Sequence, residues 1–377
     1  MTDMPPIPGA LARRRLLRSA AGCLVPLLAP AAARAAVPAA APGAAAGAAP
    51  GTAGAETFPN GARLLVAGPE GGRLDTLSAV LAAALERGLP PGTAVTRTMA
   101  GGTDGVTGAN QFDNRTEPDG FTALIVPGAA ALAWLTGDDR VHFDIAHWVP
   151  VMAGLYPGVV AGRLPAGGLA AGARIRLAAS GPTGPDLAAL LALELMGVPA
   201  WPDFAAQDAG AAREALRRGS VDLVFLHGSG VPGQVSALSA AQVQPLFTLG
   251  IPDQTGAFVR DPLFPDLPDM AEYCRRLRGA PPAGPLYAAW RGAATAAQLC
   301  FALVLPQFTP AALVALWRRA AAQAASAPAV QAIAASNAFC PLAMPAATGS
   351  TTAMAADAAS LLELRRWLAR RFDWHPG

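Results

Sequence analysis

Lysine is absent from this chain: all 28 basic residues among its 377 are arginine. That one gap removes several chemistries. A phosphate-binding Walker loop needs its lysine, pyridoxal phosphate needs a lysine for its Schiff base, and a kinase-type nucleotide site needs its strand lysine. Charge of either sign is scarce, at 14% of residues against roughly 25% in ordinary soluble domains. Histidine is rare too. His142, His147, His227 and His375 fall in no H-E-x-x-H or similar pattern, so no zinc site is expected. Cys23, Cys274, Cys300 and Cys340 lack metal-ligand spacing. The last three read as buried thiols, or as one disulfide and a thiol if the compartment is oxidising. No G-x-G-x-x-G fingerprint and no G-x-S-x-G nucleophile elbow occurs, so "LHGSG" (226–230) does not make an esterase oxyanion loop. No cofactor is expected, and no enzyme.

What the first sixty residues do contain is arginine, then alanine. Arg13, Arg14, Arg15 and Arg18 form a basic head, Ser19 to Ala33 carry no charge, and Ala33-Arg34-Ala35 offers a small-x-small cleavage site. The uncharged run is shorter than the roughly 20 residues of a membrane span, and Pro26 and Pro30 interrupt it. Residues 1–35 are therefore predicted to be an export signal cleaved near Ala35, by the twin-arginine or the Sec route. Residues 36–59, almost wholly Ala, Pro and Gly, cannot bury a core and read as a disordered linker. Loss of the signal removes five Arg and Asp3. That leaves 23 Arg against 25 acids, a net charge of −2 rather than the +2 of the whole chain. No basic surplus remains to suggest a nucleic-acid partner.

From Arg63 onward short apolar runs alternate with helical patterns. "RLLVAG" (63–68), "TAVTRTMAGG" (93–102), "PDGFTALIVPG" (118–128), "WVPVMAGLYPGVVAG" (148–162), "RIRLAASG" (174–181), "SVDLVFLHG" (220–228), "VQPLFTLG" (243–250) and "PLYAAW" (285–290) read as strands. Helices are expected over 75–87, near 104–114, and over 186–196, 310–334 and 351–371. This alternation predicts an α/β fold with largely parallel sheets.

Three turns share one shape. Gly71-Gly72-Arg73-Leu74-Asp75, Gly101-Gly102-Thr103-Asp104 and Ser180-Gly181-Pro182-Thr183-Gly184-Pro185-Asp186 each follow a strand and precede a helix. The first N–H groups of a helix have no partner within it, and the helix dipole adds partial positive charge there. Glycine lets a ligand approach that backbone closely. Such a turn is an anion site built without a basic side chain. It is also an ordinary connection, in which Asp75, Asp104 and Asp186 cap helices or hold water. Arg73 has two readings, a pair with a ligand carboxylate or a pair with Glu70, and Asp104 is placed to meet an amino group on a ligand.

The order of these motifs resembles the periplasmic solute receptors of tripartite tricarboxylate transporters, the Bug or TctC-like family. Gly71-Gly72-x-x-Asp75 resembles its first ligand loop, Ala100-Gly101-Gly102-x-x-Gly105 its "GAGG" loop, and Pro118-Asp119-Gly120-Phe121-Thr122 its "PDGYT". "VHFDIAHWVPVMAG" (141–154), Ser180-Gly181-x-Thr183-Gly184, "PDLPDMAE" (265–272), Thr309-Pro310 and "APAV" (327–330) follow in the family's order. Departures lie at Glu70, Arg73, Asp104, "DFAAQDAG" (203–210) and Phe308.

The resemblance implies a two-lobed periplasmic-binding-protein-like (type II) fold with two crossover strands, "VMAGLY" and "PLYAAW". Lobe one would be 60–156 plus 286–377, and lobe two 157–285. It implies a small carboxylate or other small anion held between the lobes by Gly71, Gly72, Gly101, Gly102, Ser180, Gly181, Thr183 and Gly184, with His227 and Gly228 on the far wall. It also implies a periplasmic location, integral-membrane permease subunits as partners, and a monomer. An exported hydrolase-like α/β enzyme using the same cleft, and a ligand-sensing receptor without transport, are the alternatives.

Overall fold

The computed structural model describes residues 58–164, 168–169, 173–206, 208–240 and 243–375. The predicted signal, its cleavage site and the linker up to Thr57 lie outside the described residues. No described helix is long and apolar enough to cross a membrane.

The chain opens with three strand–helix units: β1 (Ala62–Val66) with α1 (Arg73–Gly88), β2 (Val95–Met99) with α2 (Val106–Arg115), and β3 (Thr122–Val126) with α3 (Gly128–Thr136). β4 (Val149–Leu155) then runs through Tyr156-Pro157 into β5 (Gly158–Gly162). A second set follows: β6 (Arg176–Ala178), α4 (Leu187–Leu195), β7 (Trp201–Asp203), α5 (Ala209–Arg218), β8 (Leu223–His227), α6 (Val231–Ala240) and β9 (Gln244–Thr248). The return passes through a small ladder of β10 (Ile251–Pro252) and β11 (Phe258–Val259), then α7 (Met270–Arg278) and α8 (Pro285–Gln298), to β12 (Leu299–Leu305). α9 (Ala311–Ser326), α10 (Pro328–Asn337), β13 (Cys340–Ala343), α11 (Ala346–Met354) and α12 (Ala358–Phe372) complete it.

Two sheets result. One has the order β13-β4-β12-β3-β1-β2, the other β7-β6-β8-β5-β9. Numbered within each set, both read second, first, third, inserted, fourth, and the first sheet adds β13 beyond. The inserted strand is the one that arrives from the other sheet. β5 lies antiparallel between β8 and β9, and β12 antiparallel between β3 and β4. The remaining first-to-second and first-to-third pairings are parallel. Parallel strands need helical crossovers, which cover both faces, and β12 is accordingly buried at all seven residues.

The second crossing differs from the expectation. "PLYAAW" is not a strand: it begins α8, and β12 is the crossover. Gly284 is the N-cap and Pro285 fills the first turn, where a missing N–H costs nothing. Ala289, Trp290, Ala293, Ala294, Ala296 and Ala297 then form a buried stripe. A six-residue apolar window cannot separate a strand from a buried helix. The two long C-terminal helices are also each split. Pro328 opens α10, since proline cannot donate to a continuing helix. Asp357 accepts from Ser360 N–H at 2.8 Å and starts α12 afresh.

α8 carries much of the packing. Trp290 is fully buried, and its indole N–H donates to Ala188 O of α4 at 3.0 Å. The helix also touches α3, α11 and α12, so one apolar cluster runs from the first sheet through α8 to α4.

Candidate functional site

The carboxyl ends of β1, β2 and β3 face those of β6 and β8 across a cavity of about 390 Å³. The first sheet contributes Gly68, Gly72, Arg73, Thr103, Gly128 and Ala129; the second contributes Pro185, His227 and Gly228. Tyr156, Ala296, Ala297 and Cys300 close it from the crossover side.

The Gly pair has a clear task. Gly71 takes φ +72°, the left-handed region that favours glycine. Gly72 is the extended N-cap of α1 and has no side chain with which to cap it. The first-turn amides of α1 are thus left toward the cavity. α3 repeats the arrangement, with Pro127 as an N-cap that gives no side-chain bond. Gly128 is required there because a Cβ would lie 1.9 Å from Ala296 O.

Arg73 is the cation of this cleft. Its Nη1 approaches the Tyr156 hydroxyl at 3.4 Å, and the guanidinium carbon sits 5.8 Å from the ring centroid. It makes no ion pair among the described residues, with Glu70 or any other acid. Tyr156 is 4% exposed. Burial first, and Cys300 second, raise its pKa far above the ordinary phenol value, against the pull of Arg73. It is therefore a neutral hydroxyl. Burial pushes the Cys300 thiol up to about 11, so it is no thiolate nucleophile.

His227 ends β8 with its ring stacked on Phe225 at 5.4 Å. The residue is exposed where it lines the cleft. Desolvation lowers its pKa, Arg73 acts in the same direction, and Asp186 opposes them. It is a neutral imidazole at pH 7.

His227 and Pro185 also border a second cavity, of about 280 Å³, on the second sheet's side. Ser180, Asp186, Asp208 and Gln234 line it. Asp186 occupies the N-cap position of α4 without making a cap bond. Instead its Oδ2 accepts both Ser180 N–H and Ser180 Oγ–H, each at 2.8 Å.

The turn residues thus divide. Gly72, Arg73, Thr103, His227 and Gly228 line the larger cavity, and Ser180, Asp186 and His227 the smaller. Gly71, Asp75, Gly101, Gly102, Asp104, Gly181, Thr183 and Gly184 line neither. Asp75 folds back to accept Gly71 N–H at 2.9 Å and pairs with Arg97; both lower its pKa, Gly71 most. Gly101 and Gly102 are both left-handed at φ +73°, and Gly101 N–H donates to Gly68 O. Asp104 accepts from Val106 N–H at 3.1 Å and pairs with Arg140 at 2.8 Å, so its carboxylate is already engaged. Tyr156, Cys300, Gly128, Asp208 and Gln234 line the cavities without being among the site residues expected from sequence. Gly128 had a usable signal, because "IVPG" also ends a strand in glycine before a helix. Among the described residues no group of His, Cys, Asp and Glu could hold a metal ion.

This is the fold of the two-lobed periplasmic solute-binding proteins, with its cleft at the carboxyl ends of both sheets. No protein-family model matches the chain, and no curated protein sequence matches it. Among solved structures it is similar to a TctC solute-binding protein from Polaromonas, crystallised without ligand. The TM-score is 0.64 and the identity 17%, over 83% of this chain and 100% of that one. It is more remotely similar to MatC from Rhodopseudomonas palustris with bound malate, at TM-score 0.46 and 18% identity over 82% and 99%.

Proposed function

We propose that this protein is an exported solute receptor that captures a small anion, a carboxylate above all, and hands it to an integral-membrane permease. The observation that carries this reading is Arg73. A guanidinium without an acidic partner stands in a cavity between two lobes, beside two helix N-termini that lack side-chain caps. An uncompensated cation beside positive dipole ends favours a bound anion. The fold shared with a solute-binding protein adds to it.

On this reading residues 60–156 plus 286–377 form one lobe and 157–285 the other, and they close on the ligand as hinged domains do. Gly72, Arg73, Thr103 and Gly128 would hold the anion, with His227 and Gly228 opposite. The receptor works as a monomer in the periplasm after cleavage near Ala35, and it catalyses no reaction.

Isothermal titration of the purified chain against mono-, di- and tricarboxylates, aromatic acids and neutral sugars tests this. Saturable binding of an acid, weakened in Arg73→Ala, is the expected result. Binding of a neutral sugar with no response to any acid would overturn the reading.

A further inference from the structure

We infer that the ligand is a monocarboxylate with an apolar body, its one carboxylate held at Arg73 and its hydrocarbon part packed on the walls of the larger cavity. This rests on the receptor reading above and names the class of acid. Among the described residues Arg73 is the only charged side chain lining that cavity. The uncapped helix starts beside it, those of α1 and α3, follow β1 and β3, which are neighbouring strands. They stand with Arg73 on the first sheet's side and favour an anion in the same place. Across the cavity the second sheet offers Pro185, which has no N–H, the neutral ring of His227, and Gly228. None of these carries a charge to replace the hydration that a second carboxylate would give up.

The rest of the wall is largely hydrocarbon. Leu74, Leu132, Ala296, Ala297 and Leu299 line it, and all of them are buried. The last four belong to the apolar cluster that runs through α8. They are core side chains that surface at the cavity, fixed by their packing and with no polar group to offer. The polar side chains among them are uncharged: Thr103, the Cys300 thiol, and the Tyr156 hydroxyl, which already lies against Arg73. The volume of about 390 Å³ matches roughly a dozen waters at about 30 Å³ each. Succinate would leave much of it to water held against alkyl walls. An acid with a larger hydrocarbon part displaces that water, and each methylene it buries adds to affinity.

The test is calorimetric titration of the full chain with the straight-chain acids from propionate to octanoate, with isocaproate beside succinate, and with para-isopropylbenzoate beside terephthalate. In each pair an isopropyl group replaces the second carboxylate at nearly the same shape. Affinity should rise about two- to fourfold for each added methylene until the cavity is filled, with an increasingly negative heat capacity of binding. The isopropyl acid of each pair should bind at least roughly tenfold tighter than its dicarboxylate partner. Arg73→Ala should weaken every straight-chain acid by a similar factor and leave the gain per methylene in place, because different groups hold the charge and the hydrocarbon part. Affinity flat along the series, or a dicarboxylate binding as well as its isopropyl partner, overturns the apolar body while leaving a carboxylate receptor standing. A rise with chain length in acids that Arg73→Ala does not weaken places them away from this cavity and also overturns the inference. A folded chain that binds neither kind of acid overturns both readings.

Discussion

Arg73 lies over the ring of Tyr156, with its guanidinium carbon 5.8 Å from the centroid and Nη1 3.4 Å from the hydroxyl. Tyr156 stands where β4 passes into β5, so the contact ties the start of α1 to the strand that joins the two sheets. The cation is oriented by a neutral aromatic face and keeps its full charge for a ligand.

Arg73→Ala should therefore separate binding from stability. An exposed arginine without an acidic partner contributes little to folding, while a charge-assisted bond to a carboxylate is worth about 1.5–3 kcal/mol. Carboxylate affinity should fall roughly ten- to hundredfold, with the urea midpoint of the free protein nearly unchanged. Arg73→Lys should recover part of the loss, because it restores charge without the bidentate fork. Equal affinities in all three proteins would remove Arg73 from the site.

Trp290 is expected to matter at the opposite end of that balance. It is fully buried, and its N–H donates to Ala188 O. Trp290→Phe leaves that carbonyl without its donor and opens space beside Phe258 and Tyr287, which pack on the ring at 4.9 and 5.5 Å. A loss of about 1–3 kcal/mol is expected for the orphaned carbonyl, and Trp290→Ala should cost about 3–5 kcal/mol. Denaturant unfolding followed by circular dichroism measures both. A Phe variant as stable as the parent would show that the contact adds nothing.

How much of this could be read beforehand depends on how local the cause is. Gly71, Gly101 and Gly102 were legible because a left-handed turn between a strand and a helix leaves glycine in the sequence. β1, β3, β4, β5 and β8 were legible as apolar runs. α8 was not, since the six residues of "PLYAAW" are too short a window to tell a strand from a helix and carry aromatics that suit a strand. Asp104 showed the same limit at the level of a side chain. Arg140, which engages it, is 36 residues away, and nothing in the turn announces that pairing. The neighbourhood of Arg73, Tyr156, His227 and Cys300 exists only after both sheets form.

Two glycines should respond oppositely to alanine. A Cβ on Gly88 would lie 2.6 Å from the backbone Cα of Ala320, where α1 and α9 pack closely, and backbone cannot swing aside. Gly88→Ala should cost about 1–3 kcal/mol, as overpacking does. Gly181 has nothing within 4 Å of the same position, so Gly181→Ala should be close to neutral. Urea unfolding of the two variants side by side decides it. Equal midpoints would mean that α1 and α9 separate at little cost.

Asp261 should make stability fall as pH rises. It is 2% exposed, its Oδ1 accepts Leu263 N–H at 2.9 Å, and burial pushes its pKa up to about 6. In the unfolded chain an aspartate titrates near about 3.9. Between the two values the folded chain holds a proton that the unfolded chain has released, so raising the pH through that window favours unfolding. Above about pH 6 the buried carboxylate is ionised, and the accumulated penalty is about 3 kcal/mol. Asp261→Asn keeps the acceptor for Leu263 and carries no charge. The variant should be the more stable protein at pH 7.5, by about 1–3 kcal/mol, and should lose that advantage as the pH is lowered toward about 4. Urea titrations of both proteins at several pH values measure the difference, and the subtraction removes every other titrating group. A variant equal to or weaker than the parent at pH 7.5 would mean that the Asp261 carboxylate is not destabilised where it lies.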